Sequence, residues 1–400
     1  MRPRAWLAWA LIVAGCAIPA STEQESVESF VARHWRAPLA PQGPPPRRFS
    51  ALEASLAPES CGTCHPAQLA DWRTSIHARA MGPGVAGQLA ELLASAPRDA
   101  LACQHCHAPL AEQAPLRAAT LADNPDFDAA LRRHGIPCAA CHVRGHARFG
   151  PPRRDGSLAS AAPRETLPHG GVTRTPAYLA SEFCRDCHQF APNGHAVGGK
   201  LLQDTYNEWK ASRFAAAGVQ CQDCHMPDRR HLWRGIHDAD MVRSGLTISV
   251  NVGPAPPGQI AARLVVDSTR VGHRFPTYVT PIVVLRAELV DDAGRGIAGT
   301  REERRIGREV TLDLERELTD TRLAPGERAE LPYARALENG AVAARFSVVV
   351  YPDAFYTAFY EALLRQGAGR GEAQIRTALA ETRRSAFTVF ETISRPRSAR

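Results

Sequence analysis

The chain has 400 residues, of which 44% are apolar and 22% charged, enough for two domains with separate cores. Its net charge of +7 is not gathered into a basic patch, because the arginines are spread along the chain, and this excludes a nucleic-acid partner. Guanidinium groups are the usual bidentate partners of buried carboxylates, so acidic cofactor groups would neutralise part of the surplus. No phosphate-binding glycine loop, nucleophile elbow or HExxH helix occurs, which argues against catalysis by side chains.

At the N-terminus, Arg2 and Arg4 precede an apolar run, Trp6 to Ala14, that is too short to stay in a bilayer. The run ends in Val13-Ala14-Gly15-Cys16, which resembles the lipobox of bacterial lipoproteins. Residues 1–16 are therefore expected to be a signal peptide and Cys16 the site of lipidation, making the product a lipid-anchored protein. The alternative is ordinary cleavage near Ala20, with Cys16 discarded. By analogy with lipoproteins, Ala17 behind the cysteine favours the periplasmic side of the outer membrane. No other segment reaches about 18 uninterrupted apolar residues. Residues 17–57, with APLAPQGPPPRR at 37–48, read as a proline-rich tether.

Residues 58–245 hold all ten remaining cysteines, arranged as five CxxCH motifs. These are Cys61-Cys64-His65, Cys103-Cys106-His107, Cys138-Cys141-His142, Cys184-Cys187-His188 and Cys221-Cys224-His225. Positions i, i+3 and i+4 share one face of a helical turn, so two thiols can form thioethers to one porphyrin while the imidazole binds its iron. Structural zinc or disulfides would also use paired cysteines, but neither demands a histidine after every second one. The expectation is a domain carrying five c-type haems, assembled outside the cytoplasm.

Each iron has a second axial place. Methionine is scarce: beyond Met1 there are Met81, Met226 and Met241, and Met226 adjoins His225, so it cannot reach the far side of that haem. Histidine is the expected ligand, and ten histidines lie outside the motif endings. His105, inside its own motif, and His34, in the tether, are discounted. An internal echo ranks the others: Asp71-Trp72-Arg73-Thr74-Ser75-Ile76-His77 matches Glu208-Trp209-Lys210-Ala211-Ser212-Arg213-Phe214. The tryptophan and serine common to both copies suit packing, which leaves His77 as the functional variable. His273, in Gly-His-Arg-Phe-Pro-Thr, would reach back from a later domain. His237 follows, then His169, His146 and His195; the first two of these complete the expected set of distal ligands.

From 246 the character changes. LTISVNV, QIAARLVVD, PIVVLRAELVDD and ARFSVVVYP are β-branched runs separated by turn residues, and helices are expected over 354–366 and 371–383. Residues 246–400 thus read as a β-sandwich-like domain with C-terminal helices, and the whole chain as α+β.

The stretches CGTCHPAQLADWRTSIHARAM, GIPCAACHVRGHARFGP, FCRDCHQF with DTYNEWKASRF, VQCQDCHMP and GHRFPT together resemble the multihaem cytochrome c family. Its relevant branch is related to the tetrahaem cytochrome that accepts electrons from hydroxylamine oxidoreductase. The likeness spans roughly residues 58–285 and implies stacked haems, mostly with two histidine ligands, sometimes with one iron five-coordinate. A fifth haem and an appended β domain depart from the type member. The chain also resembles pentahaem nitrite reductase in haem count, but that enzyme's catalytic motif ends in lysine. The first expectation is an electron carrier between periplasmic or membrane redox partners, a donor and an acceptor. The alternative is an oxidoreductase acting on a small nitrogen or sulfur oxyanion at a five-coordinate haem.

Overall fold

The computed structural model describes residues 25–160 and 162–398. Residues 1–16, expected to be a signal peptide, and Cys16 lie outside them. Among the described residues no helix is long and apolar enough to cross a membrane.

The first helix, α1 (Val27–His34), is capped by Ser26, whose hydroxyl accepts from the Ser29 amide. It buries Phe30 and Val31, followed by Trp35 and Leu39, against Leu110, Leu131, Ala139 and Val143. The stretch expected to be a proline-rich tether is thus packed from residue 27 onward. Its apolar residues at 27, 30, 31 and 35 form a helical stripe, and burial of that stripe outweighs the flexibility suggested by the prolines behind it. Even the proline-rich coil is fixed, for the Gln42 backbone N–H donates to the Glu112 carboxylate at 2.6 Å.

Short helices and turns carry the motifs through residue 245, with two longer helices, α2 (Pro83–Ser95) and α3 (Pro97–His107), forming a hairpin that ends in the second motif. The internal echo is structural. Trp72 donates its indole N–H to Ile136 O at 2.8 Å, and Trp209 donates to Val219 O at 2.9 Å, each acceptor two residues ahead of a CxxCH cysteine. Ile136 N–H in turn bonds His77 O, and Val219 N–H bonds Phe214 O. Gly135 and Gly218 hold the preceding turn at φ +63° and +77°, where a Cβ is unfavourable. One local device therefore aims the third and fifth motifs.

The strand-rich part holds two antiparallel sheets. The strands are β1 (Thr247–Val252), β2 (Gln259–Asp267), β3 (Ile282–Val290), β4 (Glu302–Val310), β5 (Glu317–Asp320), β6 (Arg328–Ala336), β7 (Ala343–Tyr351) and β8 (Phe387–Ser394). One sheet has the order β5-β4-β3-β7-β8 and the other β6-β2-β1. Leu264, Val283, Leu285, Ile306, Phe346 and Val348 meet between them in the main core. Strand β3 is apolar on nearly every residue because its outer face is covered as well: Ile282 and Val284 line a cavity closed by Ala354, Thr357 and Thr382. Helices α4 (Ala354–Gln366) and α5 (Glu372–Thr382) supply that cover and match the expected helices closely. They also reach back to α2, where a Cβ on Gly84 would strike the Tyr360 hydroxyl and one on Gly87 would strike Ile375.

Two buried guanidinium groups join the halves. Arg308, 1% exposed, donates to Leu201 O, Val197 O and Lys200 O and pairs with Glu317. Arg322 pairs with Asp320 on its own side and with Glu208, of the second echo copy, at 2.9 Å. The chain is therefore α+β, a helical and loop region followed by a strand-rich one.

Candidate haem sites

A histidine can ligate a metal through Nε2 only when that atom keeps its lone pair, and the partner of Nδ1 decides this. His107 Nδ1 lies 2.8 Å from Ala80 O, His142 Nδ1 2.8 Å from Phe149 O, and His225 Nδ1 2.6 Å from Arg234 O. A carbonyl only accepts, so each Nδ1 carries the proton and each Nε2 is free. Three histidines outside the motif endings share this signature: His169 against Gly171 O, His231 against Arg229 O and His273 against Arg274 O.

The rings also face one another in pairs. His142 and His231 have centroids 6.2 Å apart, His77 and His188 6.3 Å, and His225 and His273 6.3 Å with planes only 12° apart. Metal–imidazole bonds of about 2.0–2.1 Å place the centroids of two rings roughly 6 Å apart across one ion. All three pairs have that span. Burial lowers the pKa of His77 to about 3 and of His142 and His188 to about 4, keeping the imidazoles neutral, the form that ligates. His65 stands close enough to His169 to act on it electrostatically.

The remaining six histidines spend Nε2 elsewhere. His34 turns it to Cys141 O, His146 to Gly43 O, His195 to Leu314 O, His237 to Asp353 at 3.0 Å, His105 to Asp186 at 2.8 Å and His134 to Glu59. His146 and His237, expected as ligands, are therefore not brought to a motif in this way. His231 takes the place facing His142; its only mark in the sequence was membership of the ten candidates. No histidine ring among the described residues faces His65 or His107 at this span, and of the two only His65 has another histidine within electrostatic reach.

None of the ten described cysteines pairs in a disulfide, and they approach one another across motifs. Cys61 lies beside Cys138, Cys106 beside Cys187, and Cys184 beside Cys221. Cys141 lies within electrostatic range of both Cys184 and Cys187. The motifs thus adjoin in the order first, third, fourth, and the fourth also touches the second and the fifth.

Porphyrin propionates need cationic partners, and the site offers them. Arg132 Nε and Arg144 Nη2 are buried without any hydrogen-bond partner, and Arg144 and Arg148 bond only backbone carbonyls. Buried cations lacking a carboxylate are costly, and a bound dianionic group would satisfy them. Thiols, imidazoles and orphaned guanidinium groups all fit haem.

These features suit c-type haem, and the chain is similar to multihaem c-type cytochromes in part of its sequence and in its fold. The family model described as "Cytochrome c554 and c-prime" matches residues 60–143, a stretch containing the first three motifs. The fold is similar to that of a penta-heme cytochrome c552 from Thermochromatium tepidum, with a TM-score of 0.62 and 18% identity over 86% of this chain and 100% of that one. No curated protein matches the chain in sequence.

Proposed function

We propose that this protein is a five-haem electron carrier whose haems are attached at the five CxxCH motifs. Four irons take a second histidine: His169 opposite His65, His231 opposite His142, His77 opposite His188 and His273 opposite His225. The observation that carries this reading is the set of three ring pairs at 6.2–6.3 Å, each joining a motif histidine to one from elsewhere in the chain. Bis-histidine ligation lowers reduction potentials relative to methionine ligation and suits single-electron exchange. Cysteines that neighbour one another would bring porphyrin edges together, which would make the fourth haem a junction between the first and third on one side and the second and fifth on the others. Electrons would come from one redox protein and leave to another, on the periplasmic side of a membrane, with Cys16 as lipid anchor. Reductive titration with parallel haem counting tests this. Five haems taking up five electrons, with bis-histidine spectra from four, are expected; fewer haems than motifs would refute it.

A second reading is favoured by one observation: among the described residues His107 has neither a facing histidine ring nor a histidine within electrostatic reach. An iron held only by His107 keeps a place open for a ligand from solution. The fourth haem would then feed electrons through the Cys187–Cys106 contact to a terminal site that acts on a small oxyanion.

A further inference from the structure

Arg144 lies in the short hairpin behind the third motif, and its guanidinium is spent on main chain. Nη1 donates to Ala140 O at 2.9 Å and to Val143 O at 2.6 Å, and Nε donates to His34 O at 2.8 Å. Ala140 stands inside the CxxCH sequence itself. The guanidinium carbon sits 5.0 Å from the centroid of the Trp35 ring, and Trp35 packs on Phe183, the residue before Cys184, at 5.4 Å. The cation is thus fixed to the backbone of the third motif on the side that adjoins the fourth.

Two donors at this place have no acceptor, for Arg144 Nη2 and Trp35 Nε1 are both buried and unbonded. The carboxylate within electrostatic reach of Arg144, Asp186, is engaged by His105 Nε2 at 2.8 Å. His34 Nε2 and the Tyr178 hydroxyl both donate to Cys141 O, so they add donors and no anion. The arginines of the next two motifs are placed differently. Arg185, inside the fourth, pairs with Glu28 at 2.8 Å, and Arg234, whose carbonyl accepts from His225, faces Asp238 at 3.4 Å. Of these three cations only Arg144 lacks an ion pair with a carboxylate among the described residues.

We propose that Arg144 sets the reduction potential of the haem at the third motif, holding it above those at the fourth and fifth. Reduction adds one electron to the iron, and a fixed positive charge nearby stabilises the state that has gained it, more strongly where burial keeps water away. A haem propionate accepting from Nη2 would act in the same sense, since without Arg144 its carboxylate would be left uncompensated. The proposal rests on the reading that His142 and His231 hold an iron between them.

The test is a redox titration of the full-length holoprotein followed by electron paramagnetic resonance, in which the third-motif haem is the one whose low-spin signal His231→Ala removes. Arg144→Gln keeps an amide for the carbonyls and loses the charge, whereas Arg144→Lys keeps the charge and loses the planar fork. In Arg144→Gln the equilibrium constant for reducing that haem should fall roughly tenfold, about 59 mV for one electron, as for a unit charge at roughly 10 Å in an effective dielectric near 20. Arg144→Lys should stay within about threefold of wild type. Arg33→Gln, beside His34 but 53% exposed and paired with Glu25, should leave the potential unchanged. An equal fall in the Gln and Lys variants would make Arg144 a structural clamp only, and no fall in the Gln variant would remove its charge from the account; either overturns the proposal. A further check needs no change at Arg144: on reduction of the wild type, the third-motif signal should vanish before those that His77→Ala and His273→Ala remove, and a later place in that order also overturns it. If His231→Ala removes no low-spin signal, the ligation reading fails instead.

Discussion

The imidazole of His273 lies 6.3 Å from that of His225 and nearly parallel to it, although His273 belongs to the loop between two strands and His225 ends a cysteine motif. Glu208 holds that loop in place, accepting from the Arg274 amide at 3.2 Å and from Arg322 at 2.9 Å. On the proposed ligation the strand-rich part would supply a ligand to the helical part, and its removal should alter spectra as well as stability.

Replacing one distal histidine should open one iron. His77→Ala, His231→Ala and His273→Ala are each expected to add high-spin intensity equivalent to one haem in electron paramagnetic resonance, with all five haems still attached. His146→Ala should add none, because its Nε2 is bound to Gly43 O. High-spin signal from His146→Ala, or none from His231→Ala, would show that the ligands are wrongly assigned.

Arg322 is 4% and Glu208 9% exposed in their side chains, and breaking a buried ion pair leaves a charge uncompensated. Arg322→Met should cost roughly 3–5 kcal/mol in chemical denaturation and loosen His273 enough to raise high-spin signal. A cost below about 1 kcal/mol would mean that this network is dispensable.

Trp72→Phe and Trp209→Phe each remove one indole donor while keeping most of the packing. Each half-buried carbonyl left unpaired should cost about 1 kcal/mol, visible as a lower Tm. The two costs should be similar if the repeat has one structural role; a large effect at one site alone would separate the copies.

Burial pushes the Asp320 carboxyl up, but hydrogen bonds from Arg322 and Lys200 outweigh it and hold the pKa well below the usual carboxylate range. Its ionised form thus stabilises the fold above the unfolded value of about 3.9, and that contribution fades as pH falls toward the folded value. The stability gap between wild type and Asp320→Asn should be widest above about pH 5 and narrow on acidification. A gap that is constant from pH 6 to pH 3 would rule out this linkage.

The motifs were legible in the sequence because their chemistry is local: two thiols and an imidazole must share one turn. His77 stood out through the echo, and His273 through its polar setting among strands. His231 did not, since facing His142 is a long-range property, and neither did the commitment of His146 and His237 to other acceptors. Strands β4 and β6 escaped the reading of β-branched runs because EERRIGREV and RAELPYARA carry charges that pair across the surface, as Arg335 does with Glu302. Helix α1 was hidden by the prolines that follow it.

The most direct measurement is low-temperature electron paramagnetic resonance of the purified ferric protein, with haem counted in parallel. Five haems, four of them low-spin with two histidines and one high-spin that responds to added nitrite, are the expected result. Five low-spin haems indifferent to nitrite would show that His107 has a second ligand, and a count below five would contradict the assignment of the motifs themselves.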